Sequence, residues 1–142
     1  MISGHRPAIE RAVALAKELG AKRGVLLPVS APFHCPLMQP AADAMEAALL
    51  EADLRAPLVP VFANVDAVAV AEPGAIRHLL VQQVTGMVRW RESVLAMHAA
   101  GVGQFVEFGG KVLAPMVKRT APDAETTSVI TMDDIEALIT LL

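Results

Sequence analysis

A histidine with a cysteine directly behind it, His34-Cys35, lies in the proline-punctuated stretch VSAPFHCPL at residues 29–37. Three chemistries use such residues: metal ligation, attack by a thiolate, and proton transfer by the imidazole. Adjacent side chains in extended backbone point apart, and no other cysteine, His-x-x-His pair or carboxylate cluster offers a second ligand at useful spacing, so no metal is expected. Cys35 is expected to be a small buried residue. His34 is then either a proton acceptor or a loop histidine satisfied by backbone. His5, His78 and His98 lie in or beside helical segments without a partner pattern, and solvated or helix-terminal roles are expected for them. Gly110-Lys111 invites comparison with a phosphate-binding loop, but that pattern needs glycine at 105 and a hydroxyl residue at 112, where Phe and Val stand. What remains is a glycine turn between a strand and a helix. The serines are Ser3, Ser30, Ser93 and Ser128, and none sits in a G-x-S-x-G nucleophile elbow.

These residues must be held by the elements around them. Pro7 stands at a favoured first helical position, and Ile9, Val13, Ala16 and Leu19 follow at helical spacing until Gly20 stops the run. Gly24 to Val29 is a short apolar run that reads as a buried strand feeding the histidine loop. A second helix is expected over about Pro40–Ala52 with Met45 and Leu49 inward. LVPVFA at 58–63 is the next strand, and Pro60, which has no ladder donor, puts it at an edge or a bulge. Helices over about Pro73–Thr85 and Arg89–Ala100 precede a strand at Gln104–Phe108, a glycine turn and a helix through Met116. Thr126–Ile130 reads as the last strand, and Thr131 caps a final helix whose first turn holds Asp133 and Asp134. Alternation of strands and helices implies a parallel sheet with ligands beyond the carboxyl ends of its strands, near Ser30–Cys35, Asn64–Asp66 and Gly109–Lys111.

The bulk composition narrows the function classes. The 142 residues suit one ordinary domain, and with 19% charged residues there is little polar material to cover so small a body. Every apolar run is broken before the ~18 residues of a membrane helix, so no membrane association is expected. The start, MISGHRPAIE, lacks the apolar centre of a secretory signal, and a single cysteine makes no internal disulfide; the expected compartment is a reducing cytoplasm. A net charge of −3, four Phe, one Trp and no Tyr argue against a nucleic-acid platform.

From Ile2 to about Asp123 the chain resembles the C-terminal part of the malonyl-CoA:acyl-carrier-protein transacylases of fatty acid synthesis. The shared motifs run in order: ISGH at 2–5, AKR at 21–23, LPVSAPFHC at 27–35, LMQPAAD at 37–43, NVD at 64–66, VRW at 88–90 and GKVL at 110–113. The resemblance implies an α/β fold, the C-terminal part of an α/β-hydrolase-like acyltransferase domain. Residues 1–30 would be the remnant of an inserted ferredoxin-like small subdomain and residues 31–142 the C-terminal part of the large subdomain. It also implies an acyltransferase that moves malonyl from coenzyme A to the phosphopantetheine thiol of acyl carrier protein through an acyl-serine, with no cofactor of its own.

By position, His34 matches the family's catalytic histidine, and Gln83 the glutamine whose backbone carbonyl holds that imidazole in the useful tautomer. Asn64 matches a rim asparagine. Phe33 precedes the histidine at a position that lines the acyl pocket in related transferases, and its bulk would crowd an α-methyl group, so the resemblance implies malonyl rather than methylmalonyl. Arg23, Lys118 and Arg119 stand where they could meet the phosphates of malonyl-CoA or an acidic carrier protein. The family's Gly-Pro-Gly-Lys turn is here Gly109-Gly110-Lys111, one residue shorter.

The larger departure is that the serine elbow, the carboxylate-clamping arginine and the oxyanion loop belong to the N-terminal half of such enzymes. The chain thus reads as a portion that needs that missing half as a partner. Alone it is not expected to transfer acyl groups, and surfaces meant for the absent half are expected to expose apolar patches. The rival readings are a non-catalytic module that binds acyl carrier protein or coenzyme A, and a hydrolase that uses Cys35.

Overall fold

A computed structural model describes residues 1–140, which form a mixed α/β chain. They fall into two compact units. The first comprises Met1–Val65 and Ala69–Val88, and the second comprises Asp66–Val68 and the chain from Arg89 onward.

The first unit begins with α1, Arg6–Glu18, with a proline in its first turn and Gly20 just past its end at φ 91. A left-handed glycine is the usual way to end a helix. The strand expected at Gly24–Val29 does not form. Its residues pair with nothing among the described residues, Pro28 removes one donor, and Val25, Leu26, Leu27 and Val29 remain 47–58% exposed. An apolar run becomes a strand only when a neighbouring strand takes its N–H and C=O groups. A short 3₁₀ turn, Pro36–Met38, then leads into α2, Gln39–Glu51. Ala42 is its buried residue and Leu49 is half-buried, but Met45 is 42% exposed rather than inward.

Only Val61–Phe62 of the LVPVFA run becomes a strand, β1, and it pairs with β2, Ala69–Val70. Pro57 and Pro60 cannot donate to a ladder, so Leu58 and Val59 stay outside it and exposed. The pairing is antiparallel, which corrects the expectation of a parallel sheet for this part of the chain. Next comes α3, Pro73–Thr85. The Glu72 carboxylate caps it by accepting from the N–H groups of Gly74 and Ala75, and those two bonds hold its pKa below the usual carboxylate value. α3 packs on α2 and buries Ile76 and Leu79.

The second unit is a strand-helix-strand crossover with a helix on each side in sequence. α4, Trp90–Ala99, ends before Gly101 at φ 93. β3, Gln104–Phe108, and β4, Glu125–Val129, pair in parallel with Gln104 opposite Glu125 and Phe108 opposite Val129. Parallel neighbours need a connection of a dozen or more residues, and α5, Ala114–Thr120, supplies it. This helix starts after the expected helix had nearly ended, because Gly109 at φ 81 and the segment up to Leu113 are drawn into a cap. The last helix, α6, Met132–Ile139, opens with the reciprocal capping box of Thr131 and Asp134. Val94, Val117, Ala121 and Ala124 form the core, with Trp90, Met97 and Phe105 packed on it.

The cap on α5 is a carboxylate at the end of β3. Phe105 and Glu107 share one face of the strand, and there Glu107 accepts from the N–H groups of Val112, Leu113 and Ala114. Partial desolvation pushes its pKa up, but the bonds from Leu113, Ala114 and Val112 outweigh that and hold it below the ordinary value. A depressed folded pKa stabilises the fold above the unfolded value of about 4.3, and that contribution is lost as pH falls through the folded pKa. Glu107→Gln is therefore expected to lower the melting temperature at pH 7, with the deficit shrinking once the pH drops below about 4.3. Thermal melts of both proteins from pH 7 to pH 3 check this, and a deficit independent of pH would refute it.

Candidate active site

His34 sits at a left-handed φ of 60, and Cys35 after it is extended at φ −150 and ψ 168. Histidine is among the few residue types enriched in that region, though the conformation still costs about 1–2 kcal/mol. The twist carries the ring to the carboxyl end of α3, where its Nδ1 lies 2.9 Å from the backbone oxygen of Gln83. Gln83 is in the last turn of α3, whose terminal carbonyls have no intrahelical partner.

A carbonyl oxygen only accepts, so the proton of the neutral ring stands on Nδ1 and the lone pair on Nε2. The negative end of the helix dipole also favours any positive charge the ring acquires. This is the arrangement of a general base, with a carbonyl where a protease triad has aspartate.

Around the half-buried ring, Met1, Ile2, Ser3, Met87 and Val88 complete an open depression of about 210 Å³. Met1, Ile2, Met87 and Val88 carry no side-chain chemistry that would single them out in the sequence, and Ser3 enters there only as a serine outside any nucleophile elbow; the signal for all five is membership in the ISGH and VRW motifs or the position beside them. The Gln83 side chain turns the other way, and its Oε1 lies 3.5 Å from the Asn64 Nδ2, in the turn that follows β1. His34, Gln83 and Asn64 are thus brought together. Phe33 adjoins the histidine and is 43% exposed.

Arg23 is exposed, in the unpaired segment after α1. Lys118 and Arg119 belong to the second unit, exposed on α5, with Lys118 3.5 Å from the Pro122 carbonyl and Arg119 3.2 Å from that of Pro115. Cys35 is buried, and its Sγ donates to the Pro32 carbonyl at 3.1 Å. A thiol so enclosed, with no basic partner drawn to it, is a packing residue, which counts against a cysteine hydrolase.

No family model matches the chain. Its sequence is 46% identical over 131 residues to the malonyl CoA-acyl carrier protein transacylase of Escherichia coli strain K12, an alignment covering 92% of this chain and 42% of that protein. The structure is similar to the crystal structure of acyl-carrier-protein-S-malonyltransferase from Bartonella henselae, with a TM-score of 0.91, 50% identity, and coverage of 97% of this chain and 44% of the other. A second similar structure is a malonyl-transacylase in complex with its type II PKS acyl-carrier protein, at a TM-score of 0.90 and 38% identity, covering 98% of this chain and 45% of that one. The chain therefore spans less than half the length of the proteins it matches.

Proposed function

We infer that this chain, a homologue of the malonyl-CoA:acyl-carrier-protein transacylases over 92% of its length, carries the histidine side of an acyl-serine transfer site. The observation that supports this most is the 2.9 Å bond from His34 Nδ1 to the Gln83 carbonyl, which leaves Nε2 free to accept a proton. The nucleophile is a serine supplied by polypeptide outside these 142 residues, since none of the four serines here stands in a nucleophile elbow.

In the first half-reaction His34 Nε2 takes the serine proton as the oxygen attacks the thioester carbonyl of malonyl-CoA. The carbon–sulfur bond then breaks, and the imidazolium returns the proton to the leaving coenzyme A sulfur. In the second, Nε2 takes the proton of the carrier's phosphopantetheine thiol as that sulfur attacks the acyl-serine ester, and the serine oxygen leaves with the proton. Gln83 holds the ring in one tautomer throughout, and the carboxyl end of α3 stabilises the imidazolium of each step.

Phe33 stands beside the base, where its ring would crowd an α-methyl group and favour malonyl over methylmalonyl. Arg23, Lys118 and Arg119 are the cations assigned to coenzyme A phosphates or to an acidic carrier surface. Residues 1–30 belong to a ferredoxin-like small subdomain, and residues 31–142 to an α/β-hydrolase-like large one.

The test is co-expression of the chain with, or fusion to, a serine-bearing N-terminal half, followed by an assay of malonyl transfer from malonyl-CoA to holo acyl carrier protein. Transfer by the combination and none by either part is the expected result. A soluble, correctly paired combination that transfers nothing, while the chain alone binds acyl carrier protein, would replace the enzyme reading with that of a binding module.

A further inference from the structure

Helices α2 and α3 are tied to each other at both ends. At one end His34, which lies five residues before α2, donates to the Gln83 carbonyl in the last turn of α3. At the other, half-buried Arg77 in the second turn of α3 donates through Nε to the Leu49 carbonyl at 2.8 Å, and Leu49 is in the last turn of α2. The two helices therefore run antiparallel. Each bond fills a terminal carbonyl that its own helix leaves without a partner, and each places a cationic or ionisable side chain at the negative end of a helix dipole.

Between the ties α2 and α3 pack on each other, and their buried side chains are small or aliphatic, Ala42 on α2 and Ile76 and Leu79 on α3. Apolar packing is non-directional, whereas a hydrogen bond at each end fixes the offset of one helix against the other.

We propose that Arg77 is a positioning residue for His34: its bond to Leu49 sets the offset of α3 against α2 and so holds the Gln83 carbonyl under the imidazole. Gln83 lies six residues along the helix from Arg77, about 9 Å, so a change of helix tilt at Arg77 is carried to the carbonyl with little loss. Arg77 touches no reacting atom and acts through the helix pair. The meaning of this for catalysis rests on the transacylase reading, but the bond and its dependence on Arg77 do not.

The test reads the imidazole itself. With ¹⁵N-labelled histidine in the whole chain at about pH 9, where an ordinary imidazole is neutral, ring-nitrogen shifts report the tautomer of His34. The native chain is expected to hold Nδ1–H by about tenfold, the ratio a net hydrogen bond of ordinary strength supports. Arg77→Met and Arg77→Gln remove the cationic donor and are expected to bring the ring toward a mixture, with the Nδ1–H excess falling several-fold. Arg77→Lys, which keeps a cationic donor, is expected to restore most of it.

Val117→Ala, in the core of the second unit, controls for lost stability. A native tautomer ratio in any folded Met or Gln variant overturns the proposal, as does an equal shift in the Val117 control. If Met and Gln both fail to fold, the Lys variant decides: a native-like ratio supports the proposal and a fully mixed one overturns it. Loss of the transacylase reading would show separately, as absence of malonyl transfer with the native tautomer ratio intact.

Discussion

His34→Ala, in the enzyme completed by its serine-bearing half, is expected to slow both acylation of the serine and transfer to the carrier thiol by about 10²–10⁴-fold. The size follows from what the imidazole does. A positioned base removes a proton in the transition state of each half-reaction and leaves ground-state contacts with coenzyme A or the carrier untouched. kcat and kcat/KM should therefore fall together while KM stays near its native value. Quenched-flow measurement of malonyl-enzyme formation, followed by its discharge on holo carrier protein, separates the two steps. Native speed in either step would remove His34 from that step. A variant that lost only apparent affinity would make it a binding residue instead.

The site was legible in the sequence to different depths for physical reasons. His34 was singled out by its type and place, and its link to Gln83 came only from the family resemblance, because nothing in local spacing ties residues 49 positions apart. The structure supplies the cause: a left-handed φ at His34 and an orphan carbonyl at the end of α3 meet because α2 and α3 pack. Helices with strong punctuation were read to the residue or nearly so. α3 has proline at its first position, and α6 has its threonine cap.

The failures lie where an element depends on a distant partner. Gly24–Val29 has the composition of a strand, yet no residue of the described chain completes its ladder, and four of its apolar side chains remain in the open. The same holds for Leu58 and Val59 beside their prolines, and for the face of β3 that shows Val106 and Phe108 to solvent at 36% and 67%. Apolar surface of that kind is what a chain spanning less than half of its relatives' length was expected to show.

The helix end that presents the Gln83 carbonyl depends on the absence of a side chain at Gly86, and Gly86→Ala carries the second large expected effect. The backbone there, φ −83 and ψ 155, suits any residue, so no conformational penalty arises and the less flexible unfolded chain alone would stabilise the variant by about 0.4–1 kcal/mol. Space decides against it. A Cβ at that position would lie 2.7 Å from the Val65 Cγ2 and 2.8 Å from the Gln82 carbonyl oxygen. That oxygen already accepts from the Gly86 N–H at 2.8 Å, so it cannot retreat without unwinding the last turn of α3.

Overpacking of this kind costs about 1–3 kcal/mol, which exceeds the gain from the unfolded state. Gly86→Ala should therefore melt below the native chain. Because Gln83 is the next residue after Gln82, the shift also moves the carbonyl under His34, and a displacement near 1 Å is expected to cost the completed enzyme up to about 10²-fold in rate. The double variant Gly86→Ala, Val65→Ala relieves the side-chain clash but not the one with backbone, so it should recover part of the stability and little of the activity. A single variant that melts at or above the native temperature with unchanged activity would mean that the end of α3 yields more freely than its packing implies, and that the carbonyl beneath His34 is not held by the tightness of this turn.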